Sequence, residues 1–145
     1  MDNTREILQT FVRRFGLLNA SCSDVCCGEK VSLAQSYILY EIRKMGNPSM
    51  QQVADELGMD ITTFSRQIKT LAGKGFVRRT AAPGDRRVGL LSLTGEGEQA
   101  LRQIDAFVTR KLEELFSPMS DFERQVVTAS LSRLTDALRS GFCCG

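Results

Sequence analysis

A mainly α-helical fold carrying one small β-hairpin is what this sequence predicts, on three observations. Apolar residues recur three and four apart along most of the chain, the spacing of helices that bury one face. Ser, Thr and Asp stand ahead of several of these runs at the spacing of helix caps. Only between Phe76 and Leu93 does the pattern change, to two short β-like runs around Pro83-Gly84-Asp85.

Taken in order, residues 4–20 carry Ile7, Leu8, Phe11, Val12, Phe15 and Leu18 with Arg5, Arg13 and Arg14 between them, an amphipathic helix. It gives way near Asn19–Gly28 to a polar, cysteine-rich loop. A second helix runs from about Ser32 to Met45, with Leu33, Tyr37, Ile38 and Ile42 inward, and Gly46-Asn47-Pro48 breaks it. Ser49-x-x-Gln52 is a capping box, in which two side chains satisfy the free amides of a helix start. That short helix stops at Gly58, and Asp60 caps a third over Ile61–Gly73. Two helices joined by a few residues that include glycine form a helix-turn-helix.

Phe76–Thr80 and Val88–Leu93 then pair as a hairpin, or wing, with arginines near its tip. Thr94 caps a long helix through Leu101, Ile104, Val108, Leu112 and Leu115 that ends before Pro118. Ser120-x-x-Glu123 is another capping box and opens a last helix with Phe122, Val126, Leu131, Leu134 and Leu138 inward. No repeat, low-complexity stretch or long linker divides the chain. Residues 1–145 read as one protomer, with 32–93 as its winged helix-turn-helix and 4–20 plus 94–141 as flanking helices.

Composition narrows the function. The chain has 145 residues, 42% hydrophobic and 25% charged, an ordinary globular balance. Its longest stretches without Asp, Glu, Lys or Arg are ten residues, such as Val31–Tyr40. A membrane-spanning helix needs about 20 apolar residues, so no membrane partner is expected. The N-terminus lacks the apolar core of a secretion signal, and the expected location is the cytoplasm. Histidine is absent, which removes the commonest general base and metal ligand. Ser and Cys have no evident base partner, and no Cys-x-x-Cys adjoins a βαβ pattern, so the chain does not read as an enzyme.

The formal net charge is only +2, but it is unevenly distributed. From Thr62 to Arg87 seven basic residues face the single acid Asp85, leaving the remaining chain with 12 basic and 16 acidic residues. A basic segment in an otherwise acidic chain is the electrostatic footprint of a nucleic-acid surface. In the 61–73 helix, Phe64, Ile68 and Leu71 form one face, while Thr62, Thr63, Ser65, Arg66, Gln67 and Lys69 occupy the rest. Arg can bond bidentately to guanine, Gln to adenine, and Thr can meet a base edge or a thymine methyl. Lys69 suits a phosphate. The competing reading is a protein-interaction module that kept the winged fold without DNA binding, and the intact basic segment argues against it.

The order helix, helix-turn-helix, wing, long helix resembles the MarR family of bacterial transcription regulators. The resemblance rests on Ser49–Gly58 (SMQQVADELG), Leu71–Arg79 (LAGKGFVRR) and Asp85–Gly97 (DRRVGLLSLTGEG), the last with an Asp-x-Arg wing and a Leu-Thr-x-x-Gly helix start. It covers essentially the whole chain. It implies a homodimer whose first and last two helices intertwine, and a repressor on a palindromic double-stranded operator. Half-sites would lie about 34–36 Å apart. The wing would send Arg86 and Arg87 toward the DNA, Arg87 into a minor groove, with Asp85 bracing the hairpin by pairing with an arginine. Members of the family bind phenolic or drug-like compounds between the dimer and DNA-binding regions. Phe11, Phe15, Tyr37 and Tyr40 are the residues that would line such a pocket here.

The five cysteines stand apart from this pattern. Cys22, Cys26 and Cys27 lie between the first two predicted helices, and Cys143 and Cys144 nearly end the chain. In a reducing compartment they are expected as thiols. Small thiols can simply pack, which leaves structural cysteines as the alternative, but the clustering points to a sensor, and arsenite or another thiophilic metal or metalloid held by two or three thiolates is the favoured inducer. Zinc would need four ligands from thiolates and carboxylates. An oxidation switch would need a thiolate activated by a cation such as Lys30. No cofactor is expected to be required for folding.

Overall fold

The computed structural model describes residues 2–25 and 31–141. They form six helices and one two-stranded antiparallel sheet: α1 (Asp2–Val25), α2 (Leu33–Met45), α3 (Met50–Leu57), α4 (Ile61–Gly73), β1 (Val77–Ala82), β2 (Asp85–Leu93), α5 (Gly95–Phe116) and α6 (Asp121–Arg139). Two compact units result, residues 1–106 and 107–145, with the boundary inside α5. Among the described residues no helix is long and apolar enough to cross a membrane.

In the first unit the caps expected at Ser49 and Asp60 form, and Ser32, expected only as the start of α2, caps that helix as well. Ser32 and Gln35 make a capping box at α2, Ser49 and Gln52 one at α3, and the Asp60 carboxylate accepts the Thr63 amide at α4. Gly58 ends α3 at φ 63°, ψ 29°, a left-handed conformation that a residue with a Cβ adopts only at a cost. The core gathers Ile38, Leu39 and Ile42 of α2, Val53 and Ala54 of α3, Phe64, Ile68 and Leu71 of α4, Phe76, Val77 and Leu91 around the hairpin, and Ala100 and Leu101 of α5. A second tie holds the α2–α3 loop to the hairpin, where the Leu91 amide donates to the Pro48 carbonyl at 2.8 Å.

The start of α5 is fixed by close approach to the backbone around Phe76. Thr94 donates its hydroxyl proton to the Gly75 carbonyl, accepts the Gly97 amide at 3.0 Å, and gives its own amide to the Phe76 carbonyl at 3.1 Å. A Cβ on Gly97 would collide with the Phe76 carbonyl, so only glycine permits this contact. That is the physical content of the Leu-Thr-x-x-Gly motif.

Three expectations change in this unit. First, α1 continues to Val25 instead of ending near residue 20, because no Gly or Pro occurs from Leu17 to Val25. The backbone at Cys22 is therefore helical; the Cys22 side chain and residues Cys26, Cys27, Lys30, Cys143 and Cys144 lie outside what is described. Second, Tyr37 does not face inward on α2: it is 47% exposed while Leu39 is buried. At 3.6 residues per turn, Ile38, Leu39 and Ile42 share one arc and Tyr37 lies across the axis from it. The Leu33 side chain is outside the described set. Third, the strands reach the turn itself, leaving only Pro83-Gly84 between them.

The second unit holds the end of α5 and α6. Ser120 and Glu123 form the expected capping box. The Ser120 hydrogen bonds hold the Glu123 carboxyl below the usual carboxylate range. No residue of α6 is buried; Phe122, Val126, Leu131, Leu134 and Leu138, expected to face inward, are all exposed, Phe122 by 74% and Leu138 by 63%.

Candidate nucleic-acid interface

The site is built on α4. Phe64, Ile68 and Leu71 anchor the helix in the core, which leaves Thr62, Thr63, Ser65, Arg66 and Lys69 exposed. Thr62, Ser65, Arg66 and Lys69 line one shallow depression together with Ile61. Ile61 is 40% exposed, an apolar contact that periodicity alone does not single out because its type reads as core. Its chemistry suits a thymine methyl.

Gln67 is placed differently from the other polar residues of α4. It is half-buried, and its Oε1 accepts a hydrogen bond from Gln35 Nε2 of α2 at 3.1 Å. Gln35 is itself 7% exposed and belongs to the α2 capping box. Its own Oε1 accepts the Ser32 amide at 3.1 Å and the Lys74 ammonium at 3.4 Å. Gln67, expected to meet an adenine, therefore has its acceptor end turned inward, toward Gln35. No local pattern pairs residues 35 and 67, which meet only through the packing of α2 against α4.

The wing carries the second group. Its strands pair in regular register from Val77↔Leu93 to Ala81↔Gly89, and then Ala82 pairs with Asp85. Arg86, Arg87 and Val88 have no counterpart on β1, so β2 bulges at the tip and holds both arginines exposed. Asp85 Oδ1 accepts the backbone amide of Arg87 at 2.9 Å. It therefore braces the hairpin through an amide, where an arginine side chain was expected. A carboxylate two residues before an amide closes such a turn locally and leaves the guanidinium available. Gly89 makes room for the Arg79 side chain, which would meet any Cβ there.

The aromatic residues expected to line a ligand pocket are in the same unit but on exposed faces. Phe11 and Phe15 stack with ring centroids 5.6 Å apart. Tyr40 lies under the Arg43 guanidinium at 5.8 Å, and Arg43 pairs with Asp105 at 2.8 Å. Burial pushes the Tyr37 phenol up from its ordinary value. All four rings are between 37% and 47% exposed. Among the described residues no group of three Cys, Asp or Glu is placed to hold a metal ion.

Comparison with known proteins agrees with this architecture. Residues 31–88 match the profile of the MarR family. The chain is 30% identical to the HTH-type transcriptional regulator YwaE of Bacillus subtilis over 103 residues, 71% of this chain, and the match spans 60% of that protein's length. It is 28% identical to YxaD of the same organism over 130 residues, covering 90% of this chain and 89% of YxaD. Among solved structures, Streptococcus pneumoniae FabT in complex with DNA superposes with a TM-score of 0.79 at 25% identity, over 92% of this chain and 96% of that one. With the helix-turn-helix and wing that match the family profile, and the flanking helices in the same order, the chain is similar along its length to the MarR family of winged helix-turn-helix transcriptional regulators.

Proposed function

We propose that this chain is a homodimeric repressor that binds a palindromic DNA operator, with α4 in the major groove and the wing tip against a minor groove. The observation that carries the reading is the division of α4. Three buried apolar residues fix the helix, and Thr62, Thr63, Ser65, Arg66 and Lys69 are left to solvent beside a wing that exposes Arg86 and Arg87. The structural likeness to FabT, solved with DNA bound, supports the same placement. The exposed apolar stripe of α6 supports a second copy of the chain as partner, as does the dimeric habit of the family.

Selection from a pool of random duplexes, followed by fluorescence anisotropy, tests the DNA reading. Affinity should fall steeply with salt, each neutralised phosphate adding about −0.9 to the log–log slope. Arg66→Ala should cost about 1–3 kcal/mol and relax the preference at one base position. Selection of no sequence, or an unchanged Arg66→Ala variant, contradicts the placement.

For the inducer, the proposal follows the cysteines: arsenite or another thiophilic metal bound by Cys22, Cys26, Cys27, Cys143 and Cys144 favours a dimer shape with the wrong spacing of α4 helices. Only a ligand that prefers one shape can drive release. Arsenite titrated into the DNA complex should release it, and replacing all five cysteines by serine should abolish that release. A complex that ignores arsenite turns the question to oxidants or to an organic ligand at Phe11, Phe15, Tyr37 and Tyr40, since MarR proteins bind small molecules.

A further inference from the structure

We infer that Gln35, a residue of α2 set behind the recognition helix, fixes the amide orientation of Gln67 and so makes Gln67 a hydrogen-bond donor toward DNA. The inference rests on the DNA-binding reading above and adds what one position of the operator must offer.

The direction of the hydrogen-bond relay follows from chemistry. Gln35 Oε1 meets two groups that can only donate, the Ser32 backbone amide at 3.1 Å and the Lys74 ammonium at 3.4 Å. Its oxygen is therefore committed to that side, and Gln35 presents its NH2 to α4. Gln67 must answer with its carbonyl, and does so at 3.1 Å. The end left for an outside partner is the Gln67 Nε2–H2 group, which donates. Gln35 is almost fully buried, so water cannot readily replace either partner.

This changes what Gln67 reads. A free glutamine matches adenine by donating to N7 and accepting from N6–H2. With its acceptor held inward, Gln67 can only donate, and of the major-groove edges without a donor, guanine O6 and N7 take both of its N–H bonds where thymine O4 takes one. Gln35 acts as a positioning residue and touches no base itself.

Gln35→Glu isolates the effect. Glutamate at this position keeps the capping box with Ser32, since Ser-x-x-Glu is an equally good box, and keeps Lys74 as a partner. It has no N–H to give, so the Gln67 amide should turn, donate to Glu at position 35 and show its oxygen to DNA. Duplexes selected from a random pool by the wild-type chain should carry guanine at the position whose preference is lost in Gln67→Ala. The preference over adenine should be about 5- to 150-fold, the usual value of one good base contact. In Gln35→Glu the preference at that position should move to a base that presents an N–H donor, adenine or cytosine. In the Gln35→Glu, Gln67→Ala double variant the shift should vanish.

A merely structural role for Gln35 would lower affinity for all sequences alike and leave the preferred base unchanged, which overturns the inference. Adenine at the wild-type position overturns it as well. Gln35→Met provides a second variant: it frees the Gln67 amide, and guanine should lose its advantage over adenine; retention of the full preference overturns the inference. If the wild-type chain selects no sequence, the DNA reading itself has failed, an outcome distinct from selection with an unchanged preference.

Discussion

The helices α4 and α6 follow the same sequence rules and end in opposite circumstances. Both start at a capping residue, Asp60 and Ser120, and both carry apolar residues three and four apart. On α4 those residues, Phe64, Ile68 and Leu71, are buried within one chain. On α6 Phe122, Val126, Leu131, Leu134 and Leu138 are all exposed. Periodicity tells that a face wants burial, but not whether the chain itself supplies the covering surface. Contiguous exposed apolar faces of this kind mark interaction sites. The winged helix-turn-helix is complete in a single copy, while α6 acquires a role only when something covers it.

The buried face of α4 is most vulnerable at Phe64. Phe64→Ala removes a fully buried ring from the core and should destabilise the chain by about 3–5 kcal/mol, read as a lower urea midpoint. Gly97→Ala should come next, because its new Cβ meets the Phe76 backbone and one of the two segments must move. Large-to-small logic fails there: overpacking of this kind costs about 1–3 kcal/mol, again read from the urea midpoint. Leu134→Glu places a charge on the exposed apolar face of α6. Far-UV circular dichroism should keep its helical signal, but sedimentation should report a monomer for the variant and a dimer for the wild-type chain. An unshifted sedimentation coefficient would remove α6 from the interface.

The smallest effect concerns Glu123. Its carboxyl is held below the ordinary carboxylate range by hydrogen bonds from Ser120, so the ionised form is the one the helix start favours. For a lowered acid the stabilisation is present above the unfolded value and is lost as pH falls through the folded one. Side-chain NMR of Glu123 should show titration below that of an unpaired glutamate, and Ser120→Ala, which removes the hydroxyl but keeps the backbone amide, should raise it only part of the way.

Much of this molecule is legible in its sequence because local chemistry dominates there. Caps need only a hydroxyl or carboxylate at the right distance from free amides, so Ser49, Asp60 and Ser120 are readable directly. The hairpin followed from Pro83-Gly84, with Gly84 at φ 86° where a side chain would be strained. What escaped depends on contacts between elements. Gln67 reads as a solvent-facing residue until Gln35, 32 positions earlier, takes its carbonyl. Tyr37 reads as core because it is large and aromatic, yet the burial of Leu39 sets the inward arc of α2. The Asp85 brace was correct in residue and wrong in partner, since an amide two residues away is closer to hand than a flexible guanidinium.

Two copies of one self-sufficient winged helix-turn-helix that read DNA together must leave paired marks on it, and hydroxyl-radical footprinting of the wild-type chain and Arg87→Ala on a selected duplex looks for them. Two protected stretches related by a dyad are expected, about 10–10.5 base pairs between centres. Arg87→Ala should weaken protection in the minor grooves flanking them while the central pattern remains. A single unpaired stretch, or a footprint that Arg87→Ala leaves untouched, would show that the chain does not bind in this way.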